Sequence, residues 1–181
     1  TRLSADATYR ALFKTAFPTH PGTAIDEYTI ETALATYVES LQDFDSPFDR
    51  YVRGEVGEIS DSAYQVYTMF MGNAACGTCH SPPTFAGLLP PGFRDSESEV
   101  LGVPLFPDTT QLEMDPDPGR YGNGRPKEKA PFYQYSFKTP TVRNISLTGP
   151  YMHKGSYPAL ESVVDFYNRG GGAGMGLDLP H

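Results

Sequence analysis

The sequence predicts an all-α fold, helical with long irregular loops, on three observations. Four stretches carry apolar residues every three to four positions. Residues 81–137, rich in Pro, Gly, Asp and Glu, sustain no period at all. Between them lies Cys76-Gly77-Thr78-Cys79-His80, which holds both cysteines of the chain.

The first helix is expected over residues 5–17, where Tyr9, Leu12, Phe13, Ala16 and Phe17 form one stripe; Pro18 and Pro21-Gly22 end it. The second, over about 25–43, starts near Thr23, with Thr23 and Asp26 spaced as a capping-box-like pair. Its stripe is Ile30, Leu34, Tyr37, Val38 and Leu41. Ser46 to Tyr51 reads as a turn with aromatic anchors, and these aromatics are expected to pack in a core. The third helix, over 60–72, carries Ala63, Val66, Tyr67 and Phe70 and leads through Gly72-Asn73 into the cysteine motif. The fourth, over 159–169, carries Leu160, Val163, Val164 and Tyr167 and stops at Gly170-Gly171-Gly172. The run Asp95 to Glu99 reads as a solvated acidic loop. Asp115, Asp117 and Asn123 lack the spacing of a calcium-binding EF-hand loop and read as turn formers.

Two thiols two residues apart, with a histidine directly after, is the attachment signature of c-type haem. Cys76 and Cys79 would each form a thioether to one vinyl edge, and His80 would then donate an imidazole nitrogen to the iron. A thioredoxin-like dithiol would need a βαβ context, and a structural zinc site would need a further ligand pair; neither is present in the sequence. A disulfide between the two would leave His80 unexplained. One covalent haem is expected, in a single cytochrome c-like domain spanning 1–181.

Composition fits that expectation. The 11 Phe and 12 Tyr can line a core without any Trp, while 17 Pro and 18 Gly imply much irregular backbone that a buried haem would help to hold. The net charge of −8 argues against nucleic acid as a partner. No apolar run is long enough to span a membrane. The chain begins with Thr1 and ends in a loop-like segment, so both ends read as truncated, and an export signal is expected upstream. Lys138 and Arg143 are candidates for haem propionates, because a carboxylate seeks a charge-assisted donor. His20 and His181 are expected at the surface.

Five segments together carry a resemblance: Ser46 to Tyr51, Cys76 to His80, Phe137 to Asn144, Pro150 to Gly155, and Val164 to Gly170. In their order and spacing the chain resembles the C-terminal, electron-transfer haem domain of the bacterial dihaem cytochrome c peroxidase/MauG family. Lys154 departs from the acidic residue usual in the family. The resemblance implies a periplasmic oxidoreductase whose other, N-terminal haem reacts with hydrogen peroxide. That second haem domain, absent from this sequence, and a redox partner protein are the implied partners. No catalytic residue of the peroxide reaction is implied in this chain. A calcium ion is implied between the haems, held partly by the backbone carbonyls of Thr148 and Pro150. His153 is implied as a hydrogen-bonding residue near the haem edge. The distal iron ligand of the family falls fourteen residues after His153, at Tyr167, where peroxidases carry Met and MauG-type enzymes Tyr.

Met152, a thioether close by, is the rival ligand. A soft, neutral sulfur favours ferrous iron, whereas a phenolate favours ferric. With Met152 as ligand, the chain would read instead as a stand-alone monohaem cytochrome c electron carrier. A third reading is a docking module with loop 81–137 as its interface.

Overall fold

The computed structural model describes residues 2–21, 25–41, 43–88, 96–106, 110 and 112–180. They form two compact units, Thr1–Ile59 and Ser60–His181.

The first unit is helical throughout. A short α1 (Arg2–Ala5) breaks at Asp6, whose carboxylate accepts from the Thr8 and Tyr9 amides and so caps α2 (Ala7–Ala16). The single helix expected over 5–17 is therefore divided by its own capping residue. Next, α3 (Glu27–Ser40) begins one residue after Asp26, which forms a reciprocal capping box with Thr29. Thr23, the expected cap partner, lies outside the described residues, as do Gly22 and His181. Ser46 to Tyr51, expected as a turn, instead starts the helix α4 (Pro47–Val52), because Pro47 opens it and Ser46 with Asp49 closes a second capping box.

His20 is not a plain surface residue. Its Nε2 lies 2.6 Å from Asp26 and its ring stacks on Tyr28 at 5.6 Å. Nor do the expected stripes reach a core here. Leu12 (59% exposed) and Leu34 (60%) face outward, while Ile25, Thr29 and Asp49 are buried. A unit of this size leaves much of its apolar surface exposed.

The second unit opens with α5 (Asp61–Met71), capped by the Ser60 hydroxyl on the Ala63 amide. It closes with α6 (Leu160–Asn168) and α7 (Gly171–Gly174). The glycine run read as a helix stop forms α7 because only glycine fits: a Cβ at Gly172 would overlap the Gly102 carbonyl. Between α5 and α6 the irregular region contains a minimal antiparallel ladder, so the unit is helical with few strands rather than purely α. Strands β1 (Ser98–Glu99) and β2 (Phe137–Lys138) pair Ser98 with Lys138 and Glu99 with Phe137. Asp95 lies outside the described residues, and the rest of the expected acidic loop is this strand and its approach.

The turn formers behave as their chemistry dictates. Asp115 accepts from the Asp117 amide, Asp117 from the Gly119 amide and Asn123 from the Arg125 amide. Arg120 ties the region together: it donates to Glu128 at 2.9 Å, to the Ser96 carbonyl at 3.2 Å and to the Ser98 hydroxyl at 2.8 Å, and lies over the Tyr133 ring.

The core of this unit is small: Ala86, Tyr157 and Phe166 are its buried hydrophobic residues among those described. Helix α6 is apolar on two sides. Phe166, 1% exposed, packs on Tyr157 at 5.6 Å and meets the Tyr167 ring edge-on at 5.5 Å, whereas Val164 (66%) and Tyr167 (47%) remain exposed.

The Asp26 carboxyl is held below its usual value of 3.8, first by the Thr29 amide and then by His20. A depressed folded value stabilises the unit above about pH 4 and is lost as pH falls through it. Asp26→Asn is expected to flatten the acid limb of the thermal-stability profile of the chain. Ser46→Ala is expected to cost about 1 kcal/mol in denaturant unfolding.

Candidate haem c site

Helix α5 delivers the cysteine motif. Its last amides fold back, Gly72 onto the Thr68 carbonyl and Ala74 onto Met69, and Ala75 takes a left-handed φ of 55°. Cys76–Thr78 then form one tight 3-10 turn, after which the His80 amide donates to the Cys76 carbonyl at 2.9 Å. Both thiols and the imidazole thus leave a single turn of backbone. Gly77, buried within it, has no room for a side chain beside Met71.

His80 Nδ1 lies 3.1 Å from the Phe85 carbonyl oxygen. A carbonyl only accepts, so Nδ1 carries the proton and Nε2 keeps the lone pair a metal would need. The loop that presents Phe85 is pinned by residues 139–143. The Val142 amide donates to the Phe85 carbonyl at 3.1 Å, and the Thr141 hydroxyl to the Thr84 carbonyl at 2.6 Å. Arg143 gives Nε–H and Nη2–H to the Pro83 carbonyl, at 2.8 and 2.6 Å, and its guanidinium lies 5.7 Å from the Phe85 ring centre. Phe70 of α5 meets the other edge of that ring at 5.9 Å.

Cys76 is exposed and Cys79 half-buried, both as free thiols. Burial is the main force pushing the Cys79 thiol up; the charges of Glu97 and Glu99 push the same way, against the Thr78 hydroxyl. Tyr167 shares this neighbourhood. Burial, then the charges of Cys79 and Cys76, push its phenol above 10.0, although 47% of the residue is exposed. The charges of both cysteines reach the Tyr167 phenol, so helix α6 brings it near the attachment turn.

Each remaining sequence candidate has its own local setting. Met152 occupies a turn at φ 68°, closed by the Gly155 amide on its carbonyl. His153 stacks on Phe137 at 4.2 Å and lies 3.1 Å from Asp117, whose carboxyl is held down by the Gly119 amide and by His153. Lys154 has a structural reason: it donates to Asp115 at 2.6 Å. His153 and Lys138 line a polar cavity of about 590 Å³ with Arg120, Arg125, Asp117 and Glu128. Thr148 and Pro150 lie on an exposed turn.

The residues fit a haem c. Two thiols and an imidazole of fixed tautomer form its donor set. Helix α6 exposes Val164 and half of Tyr167, whose phenol lies within electrostatic reach of the two thiols.

The family model described as di-haem cytochrome c peroxidase matches residues 1–57, ending just short of the division after Ile59. The methylamine utilization protein MauG of Methylorubrum extorquens is 33% identical over 170 residues, 94% of this chain and 42% of that protein. The cytochrome-c peroxidase IdrP2 of Pseudomonas sp. (strain SCT) is 30% identical over 169 residues, 84% of this chain and 44% of that protein. This chain belongs to the dihaem cytochrome c peroxidase/MauG family. A crystal structure of a MauG-like protein associated with microbial copper homeostasis overlays on 94% of this chain and 48% of its own, at a TM-score of 0.67 and 30% identity. The family's cytochrome c-like fold is therefore the fold of this chain, which spans about half the length of the relatives it matches.

Sequence reasoning did not reach Phe85, which acts through its carbonyl, or Phe166, which sits off the expected stripe. Glu97 and Glu99 carried a legible signal in the alternation Ser96-Glu97-Ser98-Glu99, the period of a strand.

Arg143→Ala removes two charge-assisted bonds to the Pro83 carbonyl and is expected to cost about 1–3 kcal/mol in denaturant unfolding. Faster solvent exchange of the His80 Nδ1 proton, followed by NMR, is expected with it.

Proposed function

We propose that residues 60–181 form the electron-transfer haem c domain of a periplasmic dihaem peroxidase/MauG-like oxidoreductase. It exchanges electrons with a partner haem at which hydrogen peroxide reacts. The observation that carries this reading is the attachment turn: the thiols of Cys76 and Cys79 leave one turn of backbone beside an imidazole whose Nδ1 is held by the Phe85 carbonyl. Membership of a dihaem family supports it further.

When bound, haem c supplies a one-electron iron couple. The chain's own residues do the rest. Cys76 and Cys79 anchor the group covalently, and His80 offers Nε2 while the Phe85 carbonyl stops the ring from turning. Tyr167 would hold the group through its phenol oxygen. Burial raises the pKa of its phenol, which would have to give up a proton to hold the group, so lower pH would oppose that role. A charged oxygen ligand favours the ferric state, which suits a domain that passes electrons at low potential. Arg143 holds the proximal loop. His153, kept by Asp117, lies in the polar cavity across β1, where Lys138 and the arginines can meet a carboxylate or a redox partner. The Thr148 and Pro150 carbonyls are available to calcium, with further ligands from the second haem domain. The partner protein and the peroxide chemistry belong to that other half. No described helix is long and apolar enough to cross a membrane.

Cys76→Ser with Cys79→Ser is expected to abolish covalent haem, read by mass spectrometry after haem-competent expression; haem retained covalently in that variant removes the attachment role. Tyr167→Met is expected to raise the ferrous-to-ferric ratio at fixed potential by more than about tenfold, roughly 60 mV for a one-electron couple. An unchanged midpoint in redox titration takes Tyr167 out of the coordination sphere.

A further inference from the structure

We propose that Glu97 and Glu99 set the redox potential of the haem at Cys79, by holding two carboxylates against that attachment point. The inference rests on the haem c reading above and goes beyond it, because it assigns a role to residues outside the attachment motif and both ligands.

The placement follows from strand geometry. Side chains alternate along an extended segment. Ser96 and Ser98 line the cavity of Arg120, whose guanidinium donates to the Ser98 hydroxyl at 2.8 Å. Glu97 and Glu99 therefore take the other side. There a carboxylate oxygen of each and the Cys79 sulfur all lie within 4.8 Å of one another.

Backbone bonds hold them in position. The Glu97 amide donates to the Gly87 carbonyl at 2.6 Å, and its carbonyl accepts from the Thr139 amide at 3.2 Å. Glu99 is registered opposite Phe137. Neither carboxylate is needed for those bonds, so its charge can be removed with the strand intact.

The sign is set by Coulomb's law. Oxidation leaves one more positive charge on the iron, and a fixed negative charge beside it favours that state. In a partly screened site each carboxylate is expected to change the ferrous-to-ferric ratio by roughly three- to tenfold. The pair lowers the potential in the same direction as the Tyr167 phenolate.

The test is redox titration of the haem-loaded protein carrying Glu97→Gln, Glu99→Gln, both together, or Glu97→Asp, with covalent haem confirmed by mass spectrometry. Each Gln variant is expected to raise the ferrous fraction by roughly three- to tenfold at fixed potential. The double variant is expected to raise it further, and Glu97→Asp to stay near the unsubstituted protein. Unchanged or lowered potentials with haem in place overturn the proposal, as does an Asp variant that shifts as far as Gln, which would mark a packing role. Absence of covalent haem from the unsubstituted protein would overturn the haem c reading itself, and this proposal with it.

Discussion

The hydrogen bond between the His80 imidazole and the Phe85 carbonyl is the constraint on which the second unit depends. A histidine next to an attachment turn can rotate and can carry its proton on either nitrogen; one backbone acceptor removes both freedoms. That acceptor is useful only if its loop is rigid. The rigidity comes from far along the chain, because the segment 139–143 grips residues 83–85 through a backbone amide, a hydroxyl and a guanidinium. Two stretches nearly sixty residues apart thus act as one support for a single ring.

The same segment organises the irregular region on its other side. Thr139 exchanges backbone bonds with Gly87 and Glu97, and β2 continues from it into the ladder with β1. This explains how a region with so little regular structure positions side chains firmly. It is anchored by buried Ser136 and Thr139, by asparagine and aspartate turns, and by the Arg120 hub rather than by a thick apolar core. Few hydrophobic residues are buried in this unit, and a large planar apolar group at the cysteine turn would add the interior that its side chains alone do not supply.

Much of this was legible in the sequence, and unevenly so. The attachment turn was readable because its chemistry is local: three donors within five residues admit few other uses. Helices α5 and α6 were readable from their periods. Their packing was not, because periodicity marks an apolar stripe without saying what covers it; Phe166, off the expected stripe, is the residue that is buried. Cap positions depended on tertiary partners, as at Asp26, where His20 competes for the same carboxylate. Arg143 was recognisable as a cation seeking an acceptor, but the acceptor it finds here is the Pro83 carbonyl, a backbone atom that side-chain patterns do not advertise. The strand at Ser98–Glu99 left only the short alternation over Ser96 to Glu99, because two paired residues are too few to sustain a period.

Phe166 and Tyr167 are neighbours on α6 whose rings meet edge-on at 5.5 Å, the first packed against Tyr157 and the second half-exposed. A helix turns by about 100° per residue, so a small roll that improves the fit of the first ring swings the second. Helix α6 therefore works as an axle between the packing contact at Tyr157 and the oxygen proposed to hold the iron. Evolution could retune the iron by resizing residue 157 without altering any group that touches it.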